Sequence, residues 1–182
     1  MLRTFRDVSR FTCGTVGLPG ERTFYLQIRT GNVMISASLE KSQVSALGER
    51  LQFMLKEIRM VRPLSPRPNL IRDLQPLDIP VLDEFRIGSI AIFYDEDSDL
   101  IQIDLRQVDL GEFDLTDEDV DEDSPLLDEI QIVRIYISQD QARAFYDRAE
   151  LVVAAGRQPC PFCGMPIDPQ GHLCARANGY RR

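Results

Sequence analysis

The fold of this chain is decided by residues 23–58, TFYLQIRTGNVMISASLEKSQVSALGERLQFMLKEI, which set out a strand, a turn, a second strand and a helix. Phe24, Leu26 and Ile28 alternate with polar residues, as in a strand with one buried face. A Thr-Gly-Asn turn follows, and the next seven residues alternate in the same way. From residue 44 to residue 58, apolar side chains recur at spacings of three and four, which predicts an amphipathic helix.

A third strand precedes this segment. Residues 10–17 combine β-branched and aromatic side chains, and the turn at 18–21 contains the Pro-Gly pair that such turns favour. Three strands joined by tight turns predict an antiparallel meander. Residues 1–60 are therefore interpreted as a βββα unit.

The same order of elements recurs further along the chain. Strands and a helix are predicted, in this order, at residues 85–94, 100–108, 130–137 and 139–155. The first of these strands is apolar on both faces, which is typical of a central strand. Ser138 and Gln141 form a capping box at the start of the helix. Residues 81–156 thus resemble a second βββα half, although chance similarity between two amphipathic helices would produce the same impression.

Two irregular segments interrupt this pattern. Residues 61–80 contain five prolines, which forbid a helix and predict an extended linker or surface strap. Residues 109–129 are an acidic loop of low complexity. The predicted fold class is α+β, with one or more antiparallel sheets, flanking helices and a C-terminal zinc knuckle in residues 157–182.

The net charge of −8 conceals a strong asymmetry along the chain. Residues 1–73 carry 12 basic and 6 acidic side chains, whereas residues 74–156 carry 5 basic and 22 acidic ones. A strongly acidic middle repels nucleic acids and anionic membranes. We expect the two regions to compensate each other within the molecule.

The chain shows no signal for a membrane or for secretion. The sequence contains no apolar run of the roughly 18–20 residues that a membrane helix needs, and its first residues do not resemble a signal peptide. The expected location is the cytoplasm, where disulfides are rare.

A cluster of metal-ligand residues marks the C-terminal segment, residues 157–182. Cys160 and Cys163 form a Cys-x-x-Cys-Gly knuckle, and His172 and Cys174 follow after a turn rich in proline and glycine. His172 and Cys174 are two residues apart, so they share a face of an extended strand. Three thiolates and one imidazole suit tetrahedral Zn²⁺, and four filled positions are typical of a structural site. A redox Cys-x-x-Cys pair, another metal and no metal remain the alternatives.

The last residues carry a basic and aromatic tail. Arg176, Tyr180, Arg181 and Arg182 could bind a protein partner or a small anionic ligand. The alternative is that the tail lies on the acidic middle of its own chain.

Other chemistry-bearing residues have simpler explanations. The only histidine is assigned to the metal, so no Ser-His-Asp or Cys-His pair can be assembled, and no phosphate-binding loop motif occurs. Nothing in the sequence assigns a catalytic role to Arg22, Tyr25 or Arg86. Cys13 is interpreted as a buried small hydrophobe, and the acidic residues of a predicted hairpin turn as solvated: Asp95, Glu96, Asp97 and Asp99.

Four stretches together resemble a known family. They are RFTCGTVGLPGERTFYLQ, LEKSQV, EFRIGSI and the terminal CPFCGMPIDPQGHLCARANGYRR. The chain is similar to a bacterial family described as a domain of unknown function, with N-terminal GTVGxPGxRTFYLQ and C-terminal CPxCGxPxDPxGHxCxRxNGYRR motifs. The resemblance implies a soluble bacterial protein of this architecture and transfers no catalytic residue.

The function that the sequence favours is that of a non-enzymatic, zinc-stabilised interaction or adaptor protein. The alternative is an enzyme, or an accessory subunit of one, with its site in the cleft between the two halves. The sequence identifies neither a reaction nor a partner.

Overall fold

The computed structural model describes most of the chain. Structure is described for residues 1–18, 20–63, 68–69, 71–108, 130–156, 160–165, 167, 171, 173–174 and 176–177. The acidic loop at 109–129 and part of the predicted linker lie outside these ranges. The described elements, in chain order, are β1 (Leu2–Phe5), β2 (Val8–Val16), β3 (Thr23–Thr30), β4 (Val33–Leu39), α1 (Lys41–Val61), β5 (Asp83–Asp95), β6 (Leu100–Gln107), β7 (Ile132–Ile137) and α2 (Gln139–Ala154).

The strands form one mixed sheet in the order β1-β7-β6-β5-β4-β3-β2. Strands β2, β3 and β4 form one antiparallel meander, and β5, β6 and β7 form a second. Parallel pairing of β4 with β5 joins the two meanders, and β1 pairs in parallel with β7. The α+β prediction is confirmed, with a sheet that is mostly antiparallel. The division of the chain into two duplicated halves, a linker and a metal segment stays a prediction.

Two features of the sheet differ from the sequence-based expectation. Six strands are predicted from the sequence, and the structure adds β1, which is too short for its alternation to show and is held by its parallel partner β7. Strand β5 is central, as expected, but it is not buried on both faces. Its pairing with β4 ends at Arg86, and beyond Gly88 it continues as a ribbon with β6. Phe93, near the end of this ribbon, is 54% exposed.

The two helices pack against each other and against the sheet. Helix α1 contributes the predicted stripe, in which Val44, Leu51 and Ile58 are buried. The close approach to α2 depends on Gly48, because a Cβ atom there would lie 3.2 Å from the Cβ atom of Ala149. Both helices begin with a capping box, and the one that the sequence predicted for α2 is confirmed. Within the described ranges, no helix is both long and apolar enough to cross a membrane.

The described part of the proline-rich segment is a strap that lies across β2 and β3. Gln27 is buried, and its side chain both accepts a hydrogen bond from the N–H of Asp78 and donates one to the carbonyl of that residue, at 2.7 and 3.0 Å. Arg10 donates to both carboxylate oxygens of Asp73, at 2.7 and 2.9 Å. Leu77 covers Gly14, where an added Cβ would lie 2.6 Å from its Cγ atom. The strap is therefore held by side chains rather than by a strand ladder.

The contact between Gly14 and Leu77 yields a stability prediction. We expect Gly14→Ala to lower the free energy of unfolding by about 1–3 kcal/mol, because the new methyl group overlaps the Leu77 side chain. In a Leu77→Ala background the same substitution is expected to cost less than about 0.5 kcal/mol. Urea unfolding of the four proteins of this cycle measures the difference. An equal cost in both backgrounds would contradict the packing of the strap on β2.

The Arg10–Asp73 pair yields a prediction on pH. Burial is the largest single influence and would raise the pKa of Asp73, but the hydrogen bond and charge of Arg10, with smaller contributions from Thr12 and the backbone of Gln75, together lower that pKa below the usual value. The pair therefore contributes stability above the ordinary carboxyl range and loses it as the pH falls through the lowered value. We expect Asp73→Asn to reduce the free energy of unfolding by about 2 kcal/mol at pH 7, and by progressively less in acid. Asp97→Asn, in an exposed turn, is the control and is expected to change it little at any pH.

Candidate metal centre

Three cysteines converge in the C-terminal segment. The sulfur atoms of Cys160, Cys163 and Cys174 all lie within 4.8 Å of one another. Those of Cys160 and Cys174 are 3.8 Å apart, and both residues are buried. Among the described residues, this is the one group of three or more metal-ligating side chains close enough to share an ion. The sequence prediction that these cysteines meet is confirmed.

Two short backbone hydrogen bonds shape the knuckle between the first two cysteines. The N–H of Gly164 donates to the carbonyl of Cys160, and the N–H of Cys160 donates to the carbonyl of Met165, both at 2.8 Å. Gly164 has a φ of +76°, which a residue with a side chain rarely adopts. The Cys-x-x-Cys-Gly pattern therefore folds into a closed turn that directs both sulfur atoms to one side.

Backbone N–H groups point at the sulfur atoms. Cys160 accepts hydrogen bonds from the backbone of Cys163 and Phe162, and Cys163 accepts one from the backbone of Met165. The N–H of Ala177 lies 3.3 Å from the sulfur of Cys174. Such donors stabilise thiolates that share a metal ion, because they offset the negative charge that accumulates on the ligands.

The pKa values of two of the clustered thiols shift in opposite directions. Burial opposes ionisation of Cys160, but the backbone hydrogen bonds lower its pKa below the usual value. At Cys163 the hydrogen bond from Met165 acts in the same direction, yet burial and the thiols of Cys174 and Cys160 raise the pKa. Ionisation of Cys160 is thus favoured over that of Cys163.

Cys13 provides the contrast within the same chain. It is fully buried in β2, and desolvation raises the pKa of its thiol to about 12. A thiol with that pKa is protonated at neutral pH. The interpretation of Cys13 as a buried small hydrophobe is confirmed.

The other predicted site residues are placed only in part. His172, the predicted fourth ligand, lies outside the described residues, as do Tyr180, Arg181 and Arg182. Arg176 is exposed, and its guanidinium donates to the carbonyl of Phe162 at 3.3 Å. This arginine therefore braces the knuckle as well as facing solvent.

In the acidic hairpin turn between β5 and β6, Asp95 and Asp99 accept hydrogen bonds from groups in or next to the turn. Asp95 accepts hydrogen bonds from the N–H of Asp97 and from the backbone and hydroxyl of Ser98. Asp99 accepts one from the hydroxyl of Tyr94 at 2.5 Å. The structure agrees with the prediction of a solvated turn.

One feature of the metal segment was not singled out in the sequence. Three large apolar side chains beside the cysteines are exposed: Phe162 at 62%, Met165 at 62% and Leu173 at 93%. Their position between metal-ligand residues could have indicated this exposure, because side chains next to ligands on a tight turn point outward. In the described part of the segment, these side chains place apolar groups on the surface next to the three cysteines.

Comparison with protein-family models assigns the chain to a family. A family model described as a protein of unknown function, DUF3090, matches residues 3–174. The chain belongs to this family. The matched range includes both helices, all three clustered cysteines and the whole sheet except Leu2. Searches of curated proteins and of solved structures give no match. The family resemblance drawn from the sequence is thereby confirmed.

The geometry of the three cysteines predicts that this family member binds metal. We expect about one metal ion per chain by elemental analysis, and a large loss in Cys160→Ser, because a missing thiolate opens the ligand shell. Cys13→Ala is the matched control, since it removes a thiol that lies outside the cluster, and it should retain the metal. Equal metal contents in wild type and Cys160→Ser would contradict a shared site.

Proposed function

We propose that the C-terminal segment binds one structural zinc ion through Cys160, Cys163, Cys174 and His172. Support comes from three sulfur atoms within 4.8 Å of one another and from the N–H groups directed at them. Three thiolates and an imidazole form a ligand set that suits tetrahedral Zn²⁺. With all four positions filled by protein, the ion would organise the segment rather than activate water.

The geometry favours this zinc site over a redox role. In a Cys-x-x-Cys redox pair, two sulfur atoms exchange a disulfide and the first usually starts a helix. Here Cys160, Cys163 and Cys174 form a group of three, and the knuckle at 161–163 is a turn. A third sulfur 3.8 Å from Cys160 suits a shared cation better than an exchange between two thiols.

We further propose that zinc orders this segment so that it can bind a protein partner. The supporting observation is the exposure of Phe162, Met165 and Leu173, because apolar side chains of this size at a surface mark interaction sites when they are held together. Arg176, with Tyr180, Arg181 and Arg182 of the tail, would add paired hydrogen bonds to carboxylates of the partner. The protein would then act as a zinc-stabilised adaptor located in the cytoplasm.

The alternative function is an enzyme, or an accessory subunit, with its site between the two halves. The single histidine of the sequence is used by the proposed metal site, so general acid–base catalysis would have to rely on other groups. For this reason the adaptor function is the stronger proposal.

The tail provides the functional test. Removing Arg181 and Arg182 is expected to weaken capture of partner proteins from the native host while zinc content and folding stay unchanged. Phe162→Ser should do the same, because it removes apolar contact area without removing a ligand. His172→Ala should reduce both zinc content and capture, since the segment loses the ion that holds it. Quantitative mass spectrometry of the captured proteins measures the effect.

A Lys56→Gln/Arg106→Gln variant serves as the control, because it removes two exposed cations outside the segment. Capture should then equal that of wild type. If tail removal instead lowers the melting temperature, with a strong dependence on salt, and leaves capture unchanged, the tail lies on the acidic middle of its own chain and the adaptor proposal is wrong.

A further inference from the structure

A cationic pocket lies where the two meanders meet, well apart in sequence from the metal cluster. It has a volume of about 260 Å³ and is lined by residues from the start of β3, the end of β4, the start of α1 and β5. Three basic side chains converge there: Arg22, Lys41 and Arg86. Phe24 and Leu39 form its apolar wall. The volume is close to the lower end of the range for small-molecule sites.

Two of the cations lie close to one point. A Cβ atom built on Gly156 would be 3.5 Å from the Nζ of Lys41 and 3.7 Å from a terminal nitrogen of Arg22. Among the described residues, Lys41 has no ion-pair partner. These distances place the two charges at most about 7 Å apart, so an anion that contacts both would be stabilised by both.

The third cation is held loosely and is available to a ligand. Arg86 pairs with Glu40, the one carboxylate in the pocket lining. Both side chains are more than 60% exposed, and exposed pairs of this kind contribute little to stability. The lining therefore carries three positive charges and one negative charge. The first turn of α1 adds the positive end of its helix dipole.

The backbone around the pocket is fixed by specific hydrogen bonds. Gln43 accepts from the N–H of Glu40 at 2.8 Å and donates to the carbonyls of Ile87 and Gly88, at 3.2 and 3.0 Å. This side chain ties the start of α1 to β5. Arg22 donates to the carbonyl of Ala155 at 2.8 Å, which fixes it to the end of α2. The backbone around the pocket and the guanidinium of Arg22 are thus arranged before any ligand binds, which lowers the entropic cost of binding.

We propose that this pocket binds a phosphate group, either as inorganic phosphate or as a small phosphate monoester. Arginine forks and a lysine ammonium are the side chains that recognise phosphate oxygens, and a dianion matches the net charge of the lining. The apolar wall at Phe24 and Leu39 suits the organic part of a monoester. The inference uses no residue of the zinc segment and is independent of the adaptor proposal.

The test is a titration of the whole chain of 182 residues, as purified, with inorganic phosphate and, separately, with phenyl phosphate. Amide chemical shifts report the location, and calorimetry reports the affinity. We expect shifts centred on residues 22–24, 38–41 and 86. Lys41→Gln and Arg86→Gln are each expected to weaken binding about tenfold, since each removes a charge-assisted hydrogen bond. Arg22 is left unchanged because it also caps α2.

Two control variants remove the same kinds of side chain at positions outside the pocket lining. Lys56→Gln removes an exposed lysine of the same helix, and Arg106→Gln removes an exposed arginine of the neighbouring strand β6. Each is expected to change the dissociation constant less than about twofold. Tighter binding of phenyl phosphate than of inorganic phosphate supports a monoester, and the reverse supports the free ion. An absence of shifts around the pocket, or equal weakening in the control variants, would overturn the proposal.

Discussion

The parallel pairing of β4 with β5 is the contact on which the rest of the molecule depends. It joins Ser36–Ser38 to Asp83–Arg86 and turns two separate meanders into one sheet. A parallel neighbour cannot be reached through a tight turn, so the chain must return by a long crossover. Helix α1 and the proline-rich strap are that crossover. The backbone N–H of Ser38 also donates to the carboxylate of Asp83, which holds the strands in register. The cationic pocket opens at this junction because the start of α1 and β5 meet there.

The uneven distribution of charge along the chain produces ion pairs between its basic and acidic regions. Basic side chains of the first half meet carboxylates of the strap and of the second half, so the field of the acidic middle is partly neutralised inside the molecule. The pairs include Arg3 with Glu84, and Arg10 and Arg29 with Asp78. Within the second half, Arg134 binds Asp104 across β6 and β7. The internal compensation expected from the sequence is therefore visible in the described residues. Proline supplies no backbone N–H donor, so the side chains of Arg10 and Arg29 attach the strap instead.

The sheet and the two helices, which form the body of the molecule, and the C-terminal segment are stabilised by different means. In the body, a continuous apolar core links both meanders with both helices. The described part of the segment contains neither helix nor strand, and much of its apolar surface faces solvent. What brings its parts together is the group of three cysteines and the hydrogen bonds to their sulfur atoms. An ion bound by such a cluster would add folding free energy to a segment that has little core of its own.

The sequence by itself determined the local elements and the identity of the clustered cysteines. Periods of two and of three to four residues indicate strands and helices directly, and a Cys-x-x-Cys-Gly turn brings two sulfur atoms together through its own backbone. Only the tertiary structure decided that β1 pairs with β7, that the pairing of β5 with β4 ends at Arg86, and that Arg22, Lys41 and Arg86 share one pocket. These features join residues far apart in the chain. No local pattern encodes such a pairing, because its free energy comes from strand register and burial that exist only once the whole sheet has formed.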